Sequence, residues 1–142
     1  MGISSDGILF YGIMFDWEDG NEPWADDEGG GGDEAWVCDK LGISDKEPKH
    51  DDYKSQDWKD YWDYKRERLA DIGIEFVLHC AYDYAMWGLA ISPTILRAYR
   101  GYPKEIDSID IAEEWNEKLR AFCELVGVPY SEPKWWLCSV YG

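Results

Sequence analysis

Basic residues are scarce in this chain: 14 Lys and Arg and two His stand against 30 Asp and Glu, a formal net charge of −16 over 142 residues. A potential of that sign repels nucleic acid and anionic membranes, which leaves basic proteins, divalent cations or no specific partner, since charge alone also keeps a protein soluble. Cysteine is sparse too. Cys38, Cys80, Cys123 and Cys138 lie far apart and form no C-x-x-C pair, so a zinc site is not expected. Apolar runs of membrane-spanning length are absent. The opening 1–6 has no basic stretch ahead of an apolar one, and its Gly2 with Asp6 departs from the myristoylation pattern. The expectation is a cytoplasmic chain with reduced thiols. The sequence also lacks G-x-S-x-G, Walker A, G-x-G-x-x-G and EF-hand patterns, so no cofactor is expected and a non-enzymatic role is favoured.

Aromatic residues, by contrast, are plentiful, with nine Trp and ten Tyr. Large flat side chains therefore supply much of the one core that a chain of this length forms. Residues 7–15 are apolar and too short for an independent helix, which predicts a buried strand. Residues 16–34 carry nine acids, no base and the run Gly29 to Gly32, which predicts a mobile acidic loop. The segment 35–43, with Trp36, Val37 and Leu41, touches the core in an undetermined form, and 44–52 reads as a polar linker.

Trp58, Tyr61, Trp62, Leu69 and Ile72 recur at helical spacing and predict a helix ending at Gly73. Strands follow at 74–80 and 86–91, and Ser92-Pro93 breaks the second before a further strand at 94–99. Asp110 and Glu113 stand as in a capping box ahead of a second helix lined by Ile111, Trp115, Leu119, Phe122 and Val126 and closed by Gly127. Residues 135–141 form the last strand. The prediction is a single α+β domain, with an antiparallel or mixed sheet of about five strands and two main helices packed on one side.

Few residue groups suggest chemistry. His79, Cys80 and Asp83 are the elements of a nucleophilic site, but neighbours in a strand point to opposite faces, so His79 and Cys80 meet only across a bulge. Loose carboxylates such as Asp16, Glu18, Asp19, Glu22, Asp26, Asp27 and Glu28 bind calcium weakly without an ordered cage. On the first helix, Asp57, Asp60, Asp63, Glu67 and Asp71 recur every three or four residues, a comb of carboxylates along one side. Lys54, Lys59, Lys65, Arg66 and Arg68 share that helix, so one reading is a salt-bridged solvent face with pairs such as Lys59 and Asp63. The other is a surface that stands in for a line of phosphates, whose contacts are largely independent of base sequence. Asp107, Asp110, Glu113, Glu114 and Glu117 repeat the pattern near the second helix, where acids also complement the helix dipole.

Three segments, 1–7 (MGISSDG), 100–106 (RGYPKEI) and 132–142 (EPKWWLCSVYG), are similar to a group of small phage and prophage proteins without an assigned activity. The likeness covers both ends and the middle of the chain, and no catalytic residue comes with it. The acidic insert and the Gly29 to Gly32 run depart from that group. The resemblance implies a phage setting, in which small acidic proteins include anti-CRISPR and anti-restriction inhibitors that imitate DNA. The resulting expectation is an inhibitor that binds a basic, nucleic-acid-handling host protein through Asp57, Asp60, Asp63, Glu67, Asp71, Asp16, Glu18, Asp19, Asp26, Asp27 and Glu28. The alternative is an interaction module anchored by exposed Trp17, Trp24, Tyr53 or Trp136.

Overall fold

The apolar run near the N-terminus forms β1 (Ser5–Met14) in the computed structural model, which describes residues 5–18, 20–25, 32–81 and 83–141. Its alternate residues are buried on opposite faces, Ile8 and Phe10 on one and Tyr11 and Ile13 on the other. Burial on both faces explains why β1 reads as a continuous apolar run instead of an alternating one. The remaining elements are α1 (Gly32–Lys40), α2 (Gln56–Ile72), β2 (Ile74–Ala81), β3 (Tyr84–Ile91), β4 (Leu96–Ala98), α3 (Glu114–Val126) and β5 (Lys134–Tyr141). This is an α+β fold with a mixed five-stranded sheet.

The strand order is β3-β2-β5-β1-β4. β1 runs antiparallel to β5 from Ser5↔Tyr141 to Gly12↔Lys134, and β2 forms a hairpin with β3. A short parallel pairing, Cys80↔Val140 and Ala81↔Tyr141, joins β2 to β5. The far edge of β1 also pairs with β3 at Gly12↔Ala90 to Met14↔Gly88, so β1, β5, β2 and β3 close into a ring. Inside it lie Ile8, Phe10, Val77, Ala90 and Val140. The helices cover the outer face, where Val37, Leu119, Phe122 and Val126 meet Tyr11, Ile13, Phe76 and Leu89.

Glycine makes the closure possible at Gly12. A Cβ there would sit 1.8 Å from the Leu89 carbonyl oxygen, so β3 backbone occupies the space that any side chain needs. β4 continues β3 along β1 after the 3-10 turn Ser92–Thr94, and the inserted turn leaves a gap in the ladder. Thr94 fills it. Its hydroxyl accepts the Tyr11 N–H at 2.9 Å and donates to the Ile91 carbonyl at 2.6 Å, so a polar group that is 7% exposed is satisfied in both senses.

Helix α2 ends as its sequence predicts. Gly73 adopts φ 66° and donates its N–H to the Leu69 carbonyl. Helix α3 likewise closes at Gly127, with φ 81°.

Other expectations need correction. Residues 32–40 are helical, so Asp33 and Glu34 belong to the first turn of α1, where acids complement the helix dipole, and this short helix is added to the two main helices expected. Within the acidic loop expected at 16–34, residues 20–25 are pinned, because Trp24 is only 6% exposed and packs on Phe76 and Trp87 with ring centroids 4.8 Å away in each case. Asp19, Asp26, Asp27, Glu28 and Gly29 to Gly31 lie outside the described residues. The strand expected at 94–99 shrinks to Leu96–Ala98. Helix α3 starts at Glu114, so the box of Asp110 and Glu113 does not form; Glu113 sits at the cap without a side-chain cap bond, and Ile111 lies outside the helix, exposed.

Candidate interaction surface

Helix α2 presents two faces set by its spacing. Trp58 and Tyr61 are buried, Leu69 and Ile72 pack against the core, and Trp58 Nε1 donates to the His50 carbonyl at 2.8 Å. Lys65 on α2 pairs with Glu34 on α1 at 2.8 Å, tying the two helices together. Asp57, Asp60, Asp63, Glu67 and Asp71 are all exposed on the opposite side. At 3.6 residues per turn these five acids fall within an arc of about 120° and span roughly 21 Å of helix rise. One DNA strand places about six phosphates over that length, at ~3.4 Å each, so the comb approaches single-strand charge density.

The comb is not uniform. Asp63 accepts from Arg66 at 2.8 Å, so the pair expected between Lys59 and Asp63 is replaced by one a turn further on. Asp60 accepts from Gln56 at 2.8 Å, and His50 Nε2 lies 3.2 Å from Asp57. Asp57 and Asp60 also line an open cleft of about 510 Å³ with Lys46, Lys49, His50 and Tyr64. Lys46 and Lys49 therefore offset Asp57 and Asp60 at the N-terminal end of α2, whereas Glu67 and Asp71 lie beyond that cleft. Asp16 and Glu18 are exposed after β1, on a different element from α2.

The expected aromatic anchors divide. Tyr53 is exposed and packs at a tilt against Trp58, with ring centroids 4.9 Å apart. Trp17 lies flat on Phe15, with centroids 4.0 Å apart, and Trp24 is core. Trp136 is half-buried and donates its indole N–H to the Gly12 carbonyl at 3.0 Å. Trp17, Trp24 and Trp136 therefore pack against the core, and of the four only Tyr53 is exposed.

Catalytic chemistry gains little from the folded arrangement. His79 Nε2 meets Met14 Sδ at 3.0 Å, and burial lowers the histidine pKa, favouring neutral imidazole. Cys80 has φ 73°, a conformation that L residues rarely adopt, at the point where β2 joins β5. Burial pushes the thiols of Cys38 and Cys138 up and that of Cys123 to about 11, opposite to the depression that activates a thiolate. Among the described residues no group of three or more His, Cys, Asp or Glu is placed to hold a metal ion, and no helix is long and apolar enough to cross a membrane.

Asp33 and Glu75 flank a cavity of about 320 Å³ floored by Val37, Leu69 and Phe76. Loss of hydration raises both carboxyl pKa values, and neighbouring Glu34 raises them further. For Asp33 the folded state holds the proton more tightly than the unfolded chain does. Its contribution to stability is present below the ordinary value of 3.8 and is lost as pH rises through the folded value. The melting temperature of Asp33→Asn relative to wild type is therefore expected to be more favourable at pH 7 than at pH 4; a difference independent of pH would refute this assignment.

No family model matches the chain, nor does any curated protein or solved structure match it.

Proposed function

We propose that this protein is an interaction protein, a phage-encoded inhibitor of a bacterial defence system that covers the nucleic-acid-binding surface of a basic host protein with the acidic face of α2. One observation carries the reading: five exposed carboxylates stand on the side of α2 away from its buried stripe, at a density near that of a phosphate strand. A rigid helix matters because charges held in register need no ordering on contact. The phage setting expected from segments 1–7, 100–106 and 132–142 is part of this reading, and the net charge of −16 favours steering toward a basic surface.

Reversal of Asp60, Asp63, Glu67 and Asp71 to Lys tests it. These positions are exposed, so the variant is expected to keep the wild-type circular dichroism spectrum. Affinity for a partner isolated from bacterial lysate is expected to fall by roughly 100-fold or more, and wild-type binding to weaken by about 10- to 100-fold between 50 and 200 mM salt. DNA and this protein should exclude each other on the partner. Binding that is indifferent to salt and to the reversal, or a ternary complex with DNA, would sink the proposal.

A further inference from the structure

Between β4 and α3 the chain runs from 99 to 113 without helix or strand. Residues 100–111 are all exposed, and near the ends of this stretch lie the Arg100 N–H to Asp6 Oδ1, Tyr102 N–H to the Tyr99 carbonyl and Trp115 N–H to the Ala112 carbonyl bonds. Structureless connections of about this length are uncommon unless they serve a function. This one also exposes large apolar side chains between its charges. Tyr102 is 73% exposed, and Ile106, Ile109 and Ile111 are each more than half exposed. Aliphatic side chains grouped in this way mark a surface that is covered in use.

Beneath the strap lies a groove of about 230 Å³, floored by Leu96, Trp115 and Trp135 and rimmed by Glu105, Asp107 and Asp110. Trp135 also carries a buried indole N–H without an acceptor among the described residues. The volume is below the ~300–1,000 Å³ of small-molecule clefts and suits a single long side chain. The charge on the strap decides what kind of chain that is. The strap carries four acids, three of them (Glu105, Asp107 and Asp110) on the groove rim, against Arg100 and Lys104, so a second copy of this protein would set those rim carboxylates against their own kind. A purely aliphatic segment would cover the isoleucines and leave the acidic rim desolvated and unpaired. A lysine or arginine satisfies both parts, with its methylene stem on the indoles and its cation among the carboxylates.

We propose that the strap 99–113 and the groove beneath it form a docking site for an extended, basic segment of a partner protein, one Lys or Arg side chain of which fills the groove. This rests on the reading of the partner as a basic protein, but assigns it a second contact separate from α2.

A labelled decapeptide of alternating lysine and valine tests the site, with a glutamine and valine decapeptide as control. Saturable binding is expected, with changes at the indole N–H resonances of Trp115 and Trp135 and at the amides of the strap. Neutralisation by E105Q, D107N and D110N together is expected to weaken binding at least tenfold, as is the pair I106S and I109S. Reversal of Asp60 and Glu67 to Lys should leave these resonance changes intact. Undiminished binding to the neutralised variant, peptide-induced changes confined to α2, or self-association through the strap would each overturn the docking site. Loss of host-partner binding on α2 reversal speaks only to the first reading, so the two fail separately.

Discussion

Gly12→Ala is expected to leave little folded protein. The new methyl carbon would lie 1.8 Å from the Leu89 carbonyl oxygen and 2.9 Å from its carbon, and backbone on the opposing strand cannot rotate away as a side chain can. To accommodate it, β1 and β3 must separate, which breaks the ring that encloses Ile8 and Phe10. The expected cost exceeds about 4 kcal/mol, a large share of the 5–15 kcal/mol that holds a domain together. Gly7→Ala in the same strand is the control, because nothing lies within 4 Å of its Cβ position. Urea unfolding should find Gly7→Ala within about 1 kcal/mol of wild type. Similar midpoints for the two variants would mean that the strands are not closed at Gly12.

Trp24→Ala is expected to be the next most damaging change, at about 3–5 kcal/mol. Trp24 brings a charged segment into a nest of rings formed by Trp17, Trp36, Phe76 and Trp87. Its removal opens a cavity against α1 and β2 together. Thermal unfolding measures the loss, and hydrogen exchange should show 20–25 and the first turn of α1 exchanging faster than β5. A change of under 1 kcal/mol would return Trp24 to the role of an exposed anchor.

The two expected results also mark where sequence reasoning succeeds and where it stops. The helix at 56–72 and its stop at Gly73 were legible because spacing and termination are local properties, carried by Trp58, Tyr61, Leu69, Ile72 and one glycine. The two strands after it were legible for the same reason. Helix α1 was not, since its acids and the preceding glycines conceal the few residues, Val37 and Cys38, that it buries. Helix α3 misled in the other direction. Asp110 and Glu113 have the spacing of a cap, yet the chain at 105–110 lies across Trp115 and Trp135 as a groove wall instead of coiling.

The candidate surfaces divide in the same way. The comb on α2 follows from three- and four-residue steps once the helix is granted. Its partial neutralisation by Arg66, and the mixed-charge cleft at its N-terminal end, depend on which rotamers and which linker the fold brings near. The acid-rimmed groove under 99–113 had no sequence signal, because Leu96, Trp115 and Trp135 come from three separate elements.

By itself, the sequence determined the charge, the aromatic core, the segments of β1, α2, β2, β3 and β5, and the face that α2 turns outward, because each depends on composition or on neighbours within a few residues. Only the tertiary structure decided that β1 meets β3 through Gly12, that Trp24 is core, and that the acidic strap stands over tryptophans. Those outcomes depend on pairing register and on the packing of residues as far apart as Tyr11 and Thr94, where the winning arrangement is set by many weak contacts at once and by no local pattern.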